Sequence, residues 1–419
     1  MQEDSYMIII PKDPELIHDP KAFFVNMKTH ENIVVEKAGF NQERGVEIDL
    51  KIDDRPYRIW VSPTEISIPS FVRLGHQFTE EELAAIDAVK EGLSVNMVYE
   101  GDPRVCYYDQ LRLIDAMIPE KLAVLDCPSE KLLSGRWVEL AARSSVLPAP
   151  RYLFTVQAIS GDAGEDSKEV WLHTHGLKRC GFYELEILCS TQETCNDHYH
   201  ILESLAYRMI EADVETPVKP GDAVFVAQLD EDTFLVVTAV DWKEALKLYP
   251  EATLGTPEDR GDDDVHTEDT YVVMAYASPD DEKAKKYTKV QAYDEFLKQN
   301  PMFLISTPET QRMRMLARER MGYLVKALED KENTVLAKIG LITDQKYWGN
   351  ELEEEQREHI WFEVKEAQGD KLTAVLTQEP YYVSGIKEGD VGTYSFDDVT
   401  DWLVFTKERR ISPDDAYLL

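Results

Sequence analysis

The apolar residues of this chain fall in short runs, and the elements that these runs predict alternate between strands and helices. Tyr6 to Ile10 predicts a strand, Pro14 to Lys28 predicts a helix, and Val46 to Ile52 predicts a further strand. Such an alternation of short elements is typical of helices that cover one face of a sheet. We therefore predict an α+β fold with two or three α/β sandwich-like domains and mainly antiparallel sheets.

Two of the predicted helices carry additional signals. Thr79 is followed three residues later by Glu82, which is the pattern of a capping box at a helix start. The segment from Thr194 to Ile210 places four apolar residues at helical spacing on one face, and these are Ile201, Leu202, Leu205 and Met209. The sequence thus predicts a capped helix after Thr79 and an amphipathic helix near residue 200.

The length and one acidic segment indicate the domain organisation. A chain of 419 residues is long enough for two or three domains that each bury a core. Residues 251–270 contain eight acidic residues, one arginine and several glycine or proline residues, which is typical of an exposed segment. We predict an N-terminal α+β domain over 1–127, a second α+β domain over 128–250, an acidic linker or loop over 251–270, and a C-terminal domain with a lead-in segment over 271–419.

The net charge limits the classes of partner. Eighty acidic residues against 45 basic residues give a formal net charge of −35. A surface of that sign repels phosphate backbones and anionic membranes, so neither nucleic acid nor a membrane is an expected partner. The same charge attracts cationic proteins, and we predict a basic protein as the partner. The sequence indicates no oligomeric state.

Cysteine content and hydropathy indicate the compartment. The five cysteines are odd in number and include no CxxC pair, so a disulfide framework is not expected. The apolar run from Met7 to Ile10 is too short for the core of a signal peptide, and no stretch approaches the roughly 18 apolar residues of a membrane span. We predict a cytoplasmic protein.

Residues in the last quarter of the chain resemble a bacterial domain family. The elements are Glu358-His359-Ile360-Trp361, Pro380, Gly389-Asp390 and Asp401-Trp402, in that order. Over roughly 307–408 this pattern resembles the YegJ-like domain, which has no known function. The sequence departs from that family at Ala374 and Gln378, where glycine and asparagine are usual.

A second resemblance involves the segment from Trp171 to Leu177, which reads WLHTHGL, together with Glu184-Leu185-Glu186. It is similar to an HTHGL-type segment of uncharacterised bacterial proteins that carry a YegJ-like domain at their C-terminus. Both resemblances imply kinship with bacterial proteins and imply no mechanism.

A short pattern occurs twice along the chain. Gly221-Asp222 precedes Asp241-Trp242, and Gly389-Asp390 precedes Asp401-Trp402. A recurring turn and an internal duplication both explain this pattern, because Gly-Asp is favoured in turns.

Four residues form the candidate metal site. His173 and His175 share one face of a predicted strand, and Glu184 and Glu186 share one face of the next. If these faces meet, two imidazoles and two carboxylates converge, and this set suits zinc or a similar divalent ion. The alternative is a sheet face whose histidine rings bond to neighbouring carbonyl groups.

A second polar cluster is predicted in the C-terminal domain. His359 on a predicted strand, with Asp397, Asp398 and Asp401, combines an imidazole with carboxylates and is suited to general acid or base chemistry. In the alternative interpretation, Asp401 caps a turn while the Trp402 indole fills the core and donates its N–H to a carbonyl.

The sequence favours a binding function over an enzymatic one. It contains no GxxxxGK(S/T), GxGxxG, HExxH or GxSxG motif, so the usual signatures of several enzyme classes are missing. We predict a non-enzymatic cytoplasmic binding or accessory protein that needs no cofactor and engages a basic partner through a surface containing Tyr381 and Tyr382. The alternative is a metal-dependent hydrolase that uses His173, His175, Glu184 and Glu186.

Overall fold

The structure of the chain is a computed structural model, and it describes residues 3–42, 44–161, 169–212, 215–261, 266–299, 301–303, 306–347 and 356–419. Met1–Ala142 and Pro148–Ser306 form one compact unit, called the first unit here, and Arg143–Leu147 with Thr307–Leu419 form the second unit. Helices are combined with three sheets, and all but one of the described strand pairs are antiparallel. The predicted α+β class with mainly antiparallel sheets is confirmed.

The first unit begins with a seven-stranded sheet in the order β2-β3-β4-β5-β1-β6-β7. Its strands are β1 (Ser5–Pro11), β2 (Ile33–Asn41), β3 (Gly45–Ile52), β4 (Arg55–Glu65), β5 (Glu91–Met97), β6 (Lys121–Asp126) and β7 (Lys131–Ser134). Strand β1 lies inside the sheet between β5 and β6, and its side chains Met7, Ile9 and Ile10 are fully buried. The apolar run near the N-terminus therefore forms part of a core.

Four helices accompany this sheet. They are α1 (Pro20–Lys28), α2 (Glu80–Ala88), α3 (Pro103–Met117) and α4 (Gly135–Ala142). The predicted helix over 14–28 is divided at Asp19, because the residue before a proline avoids the helical conformation. The Asp19 carboxylate then accepts hydrogen bonds from the backbone N–H groups of Lys21 and Ala22, so the break becomes the cap of α1.

The second sheet of the first unit has the order β15-β11-β12-β13-β10-β9-β8, and β14 pairs with β13. Its strands are β8 (Thr155–Ser160), β9 (Glu169–His175), β10 (Glu184–Thr191), β11 (Val224–Gln228), β12 (Phe234–Asp241), β13 (Thr270–Ala275), β14 (Thr288–Lys289) and β15 (Met302–Phe303). The pair β10–β13 is the parallel one. The helices of this region are α5 (Cys195–Glu211), α6 (Trp242–Ala245), α7 (Pro279–Ala284) and α8 (Asp294–Leu297).

Both helices that carried additional signals are confirmed. Thr79 Oγ1 accepts from the Glu82 N–H, and the Glu82 carboxylate accepts from the Thr79 N–H, so the capping box is formed at the start of α2. Helix α5 packs against β8 to β11. Its predicted apolar face is fully buried, with Ile201, Leu202, Leu205 and Met209 at most 1% exposed.

The segment predicted as an acidic linker or loop lies in a loop of the first unit, between strands of the second sheet. Strands β13, β14 and β15 follow the predicted linker over 251–270, yet they belong to the second sheet. The described residues of that segment, which exclude 262–265, lie within the first unit and contain the buried side chains Arg260 and His266. Both predicted N-terminal domains also lie in this unit, which ends at Ser306. The described acidic residues of the segment are exposed, as predicted, while Arg260 and His266 anchor the segment to the core.

The second unit contains a six-stranded sheet in the order β19-β18-β17-β16-β20-β21. Its strands are β16 (Thr334–Ile342), β17 (Arg357–Gln368), β18 (Lys371–Leu376), β19 (Val391–Ser395), β20 (Val399–Phe405) and β21 (Arg410–Ile411), and its helices are α9 (Thr307–Glu319) and α10 (Met321–Ala327). Helix α9 packs on β20, where the fully buried Trp402 donates its Nε1–H to Ala317 O at 3.0 Å.

The repeated Gly-Asp pattern forms the same turn in both places. Gly221 and Gly389 have φ angles of 88° and 87°, a backbone conformation that favours glycine. The Asp222 carboxylate accepts from the Lys219 N–H at 2.8 Å, and the Asp390 carboxylate accepts from the Lys387 N–H at 3.0 Å. The same Gly-Asp turn is therefore formed at both sites.

Short 3₁₀ helices complete the described elements, at Pro14–His18, Ser70–Leu74, Pro150–Tyr152, Lys178–Cys180, Leu246–Leu248, Pro257–Asp259, Val290–Tyr293, Gln345–Tyr347, Phe396–Asp398 and Pro413–Leu418. Among the helices of the described ranges, none combines the length and the apolar character needed to cross a bilayer. All five cysteines are free thiols.

Candidate metal centre

Strand β9 carries two histidines on one face. His173 and His175 are two residues apart, so the alternation of a strand places both rings on the same side, and their ring centroids are 5.0 Å apart. Strand β9 lies between β8 and β10, and Glu186 of β10 is paired directly with His173. The predicted meeting of these two strands is therefore present in the first unit.

His266 joins these two histidines from the loop that precedes β13. His266 Nε2 lies 3.4 Å from His175 Nε2, and the centroids of the His266 and His173 rings are 4.3 Å apart. One nitrogen atom of each of the three rings lies within 4.8 Å of the other two. We call His173, His175 and His266 the three-histidine cluster.

Burial keeps the imidazoles of β9 uncharged. His173 and His266 are each 2% exposed, and the His175 side chain is 13% exposed. Desolvation, reinforced by neighbouring positive groups, lowers the pKa of His173 to about 2 and that of His175 to about 3. The Nδ1 atom of His173 is buried and has no hydrogen-bond partner among the described residues. A buried nitrogen of this kind is costly unless a ligand meets it.

Glu186 forms a buried ion pair beside the cluster. Both of its carboxylate oxygens accept from Arg260, at 2.7 and 2.6 Å, and Glu186 Oε1 lies 3.4 Å from His266 Nδ1. The Arg260 guanidinium also donates to Gly255 O and lies 4.1 Å from the centroid of the Trp242 ring. Arg260 therefore ties the acidic segment to the sheet and positions His266.

Glu184 is hydrogen-bonded to β9 and to the turn that follows it. Its carboxylate accepts from the Thr174 hydroxyl at 2.6 Å and from the backbone N–H groups of Gly176 and Lys178 at 2.9 and 3.2 Å. Burial raises the pKa of Glu184, and these hydrogen bonds oppose that shift. These three hydrogen bonds hold the turn that follows β9.

A cavity of about 240 Å³ opens beside His175. Its lining residues are Glu3, Asp4, Tyr6, Cys127, Pro128, Glu130, His175, Gly176 and Glu184. Glu130, in the turn between β6 and β7, has its Oε2 atom 3.9 Å from His175 Nε2. The cluster therefore has one side buried in the sheet and one side at the wall of a cavity.

The geometry of the cluster suits a tetrahedral metal ion. Zinc–nitrogen bonds of about 2.0–2.1 Å place two ligand nitrogens about 3.4 Å apart, which matches the separation of His175 Nε2 and His266 Nε2. The remaining nitrogen pairs lie within 4.8 Å, so side-chain rotation has to bring His173 closer. Neutral imidazole is a preferred ligand of zinc and related ions.

The sequence pattern found two of these residues and missed two others. His173 and His175 were identifiable because a strand has a period of two residues. His266 was missed because it lies in the acidic segment taken for a linker, and Glu130 was missed because it belongs to another sheet. The single arginine and single histidine of the 251–270 segment were the available signal.

The predicted polar cluster of the second unit has separate partners. His359 Nδ1 lies 3.1 Å from Thr400 Oγ1, while Asp398 accepts from Arg357 at 2.9 Å. The Asp397 N–H donates to Ser395 Oγ, in a local turn. Asp401 accepts from the Trp402 N–H at 2.8 Å, and burial raises the pKa of Asp401 to about 6. The Trp402 indole fills the core and donates to a carbonyl, as the alternative interpretation states, whereas Asp401 lies within strand β20 and not in a turn.

Tyr381 and Tyr382 are exposed in a loop of the second unit, at 77% and 50%. Their backbone N–H groups both donate to the Glu358 carboxylate at 2.8 Å. The Tyr382 ring makes an edge contact with Tyr347 at 5.2 Å between centroids. The pair is thus presented on a loop that is held in place.

A serine, a histidine and an aspartate lie in line elsewhere in the first unit. Ser190 Oγ is 2.7 Å from His198 Nδ1, and His198 Nε2 is 2.9 Å from Asp294 Oδ1. Ser190 and His198 are both fully buried, so a substrate has no path to the hydroxyl. These two hydrogen bonds connect α5 to β10 and α8.

Family models match three segments of the chain. The N-terminal domain of a protein of unknown function (DUF4026) matches residues 5–148, and the C-terminal domain of DUF4026 matches residues 156–274. An uncharacterized protein conserved in bacteria (DUF2314) matches residues 309–412. The two resemblances noted in the sequence fall within the second and third segments, which are domains of unknown function. No curated protein and no solved structure matches the chain.

Proposed function

We propose that this chain, which contains the N- and C-terminal domains of DUF4026 and a DUF2314 domain, binds a divalent metal ion of the zinc type at the three-histidine cluster. The observation that carries the proposal is the convergence of three imidazoles with ligand atoms within 4.8 Å of one another. The buried Nδ1 of His173, which has no partner among the described residues, supports it.

The surroundings of the cluster are those of a metal site. Metal-bound histidines commonly direct their second ring nitrogen to a carboxylate, which fixes the tautomer of the ring. Glu186 Oε1 lies 3.4 Å from His266 Nδ1 and occupies this outer position. The proposed ligands are therefore His173, His175 and His266. Compared with the predicted set, His266 takes the place of the two glutamates, and Glu186 is a hydrogen-bonding neighbour of a ligand.

Zinc binding is tested with the chelator-stripped full-length chain. We expect about one zinc ion per chain and a melting temperature that rises when zinc is added, because a ligand at 100 times its Kd adds about 2.7 kcal/mol of stability. His173→Ala combined with His266→Ala is expected to weaken zinc binding at least about 100-fold, since one imidazole remains. Equilibrium competition with a chromogenic chelator measures the affinity.

The matched control is His200→Ala. His200 lies on α5, its side chain is 41% exposed, and its Nδ1 atom lies 3.5 Å from Glu203 Oε2. We expect this variant to bind zinc as the wild type does. The proposal fails if the wild type binds zinc no more tightly than the double variant, or if His200→Ala loses the ion to the same extent.

We propose as a second function that the chain binds a basic protein through a surface of the second unit containing Tyr381 and Tyr382. The net charge of −35 accelerates encounter with cationic proteins, and exposed tyrosines are frequent anchors of interfaces. A specific partner needs such an anchor because charge attraction alone is screened within about 8 Å at physiological salt.

The partner proposal is tested at about 150 mM salt, where the screening length is about 8 Å. Basic proteins captured from bacterial extract are purified and rebound to the chain. Tyr381→Ala with Tyr382→Ala is expected to weaken the rebinding at least about tenfold, because an interface anchor is lost. The control Phe40→Ala removes a side chain that is 79% exposed in the first unit. The proposal is contradicted if the wild type, the double tyrosine variant and Phe40→Ala rebind the basic protein equally and polylysine displaces it completely from each.

We further propose that residues 309–412 form the YegJ-like domain that the sequence resembles, and that 156–274 contains the HTHGL-type domain. The cytoplasm is the compartment that we propose, because unpaired cysteines without a CxxC motif suit a reducing environment.

A further inference from the structure

We infer that Glu130 is the general base of a hydrolytic site at the three-histidine cluster, and that the substrate is a small amide or ester that carries a protonated amine. The inference rests on the proposed metal site. It adds a residue from another sheet, a reaction and a class of substrate.

Glu130 is placed at the open side of the cluster. Its Oε2 atom lies 3.9 Å from His175 Nε2, and both residues line the 240 Å³ cavity. Three histidine ligands leave a fourth tetrahedral position, which in catalytic zinc sites holds water. The cavity borders His175 and Glu130, so Glu130 would be the base nearest to a water molecule in that open position.

The turn that carries Glu130 is fixed by contacts to the second sheet. Thr155 on β8 donates to Ser129 O at 2.5 Å, and the Gln157 side-chain amide donates to Glu130 Oε2. Gln157 is paired with His173 in the β8–β9 register, so the residue that orients the carboxylate lies beside a metal ligand. Such support restricts the carboxylate to one orientation.

The backbone of Glu130 adopts a conformation that is unfavourable for its residue type. Its φ angle is 51°, in the left-handed region, which is unfavourable for a residue with a Cβ atom. Strained residues of this kind concentrate at functional sites, where the surrounding structure enforces them. A glycine or asparagine would form the turn at lower cost, and neither would supply a base.

The reaction follows from these positions. Glu130 would accept a proton from a water molecule at the open side of the cluster as its O–H bond breaks, and a metal ion held by the three histidines would lower the pKa of that water. The resulting hydroxide oxygen forms a bond to the acyl carbon. The C–N or C–O bond then breaks, its electron pair leaves with the amine or alcohol, and Glu130 returns the proton to that leaving group. No oxidant, reductant or second substrate is required.

The cavity determines the class of substrate. Four carboxylate side chains line it, from Glu3, Asp4, Glu130 and Glu184. This charge attracts a protonated amine and repels the phosphoryl group of phosphate esters. A volume of 240 Å³ is below the usual range for drug-sized ligands, so the substrate is about the size of an amino-acid amide.

The test uses the zinc-loaded full-length chain and three chromogenic compounds. We expect hydrolysis of alanine p-nitroanilide, slower hydrolysis of its N-acetyl derivative, and none of p-nitrophenyl phosphate. Glu130→Gln is expected to lower kcat at least about 100-fold, as loss of a general base does, while zinc affinity changes less than about threefold. A merely structural residue would alter the zinc affinity or the melting temperature as well.

The control is Glu120→Gln, which changes an exposed glutamate whose partner is Lys12 at 2.9 Å. We expect it to keep wild-type kcat. If the chain binds zinc and hydrolyses neither anilide, or if Glu130→Gln retains full kcat, the inference is overturned and the proposed metal site stands. Hydrolysis of the phosphate ester overturns the substrate class. A chain that binds no zinc overturns both proposals.

Discussion

Replacing Arg179 by alanine is expected to destabilise the first unit by about 3–5 kcal/mol, the range found when one partner of a buried ion pair is removed. Arg179 and Asp126 are both fully buried and form two hydrogen bonds, at 2.5 and 2.9 Å. Arg179 also donates to Leu153 O at 2.7 Å. Its loss leaves the Asp126 carboxylate without its bidentate partner, in a site that water does not reach.

This ion pair connects the two sheets of the first unit. Asp126 ends β6 in the first sheet, and Arg179 lies in the 3₁₀ helix between β9 and β10 of the second. The expected loss is measured by urea unfolding at neutral pH. Lys12→Ala is the control, because the Lys12–Glu120 pair is exposed, with side chains 56% and 73% accessible. An exposed pair contributes little to stability, because solvent screens its charges. Losses of equal size in the two variants would contradict the prediction.

Replacing Arg260 by alanine is expected to cost the first unit about 3–5 kcal/mol as well. The pair Arg260–Glu186 is buried at both ends, with side chains 1% and 0% exposed. The guanidinium also lies 4.1 Å from the centroid of the Trp242 ring and 5.2 Å from that of Trp171. The alanine variant loses these contacts and leaves the Glu186 charge buried without its partner.

A double variant distinguishes two causes of the stability loss: a buried charge without its partner, and the loss of packing contacts. In Arg260→Met with Glu186→Met both charges are gone, and apolar pairs of similar volume are often as stable as the ion pair they replace. We expect the double variant to recover most of the stability, measured by urea unfolding in the presence of a chelator. If it is no more stable than Arg260→Ala, the loss arises from packing and the role assigned to this ion pair is wrong.

Local signals accounted for the elements that the sequence predicted correctly. The apolar face of α5 and the Thr79–Glu82 capping box depend on residues three or four positions apart, and such spacings act within one helix. The helix over 14–28 failed at Asp19 for an equally local reason, the proline that follows it. The proline at position 20 by itself indicates a helix break at Asp19.

Composition correctly predicted the exposure of the acidic side chains described in the 251–270 segment, but it did not identify the two side chains that anchor the segment. Eight acidic residues indicated exposure, whereas Arg260 and His266 are 8% and 2% exposed. Two basic side chains anchor the segment to the core, and Glu186 offers a buried carboxylate to Arg260, while the described acidic side chains of the segment stay exposed. An average over twenty residues does not show where an individual side chain finds its partner.

The sequence by itself determined the α+β class, the main helix face and the shared face of His173 and His175, because each depends on short periodicities along the chain. Only the tertiary structure decided which groups accompany these histidines. Glu186 is committed to Arg260 and Glu184 to the turn after β9, while His266 and Glu130 arrive from a loop and from another sheet. The physical reason is that strand register and long-range ion pairs bring together residues 45 to 91 positions apart, and no periodic pattern in one segment encodes such a meeting.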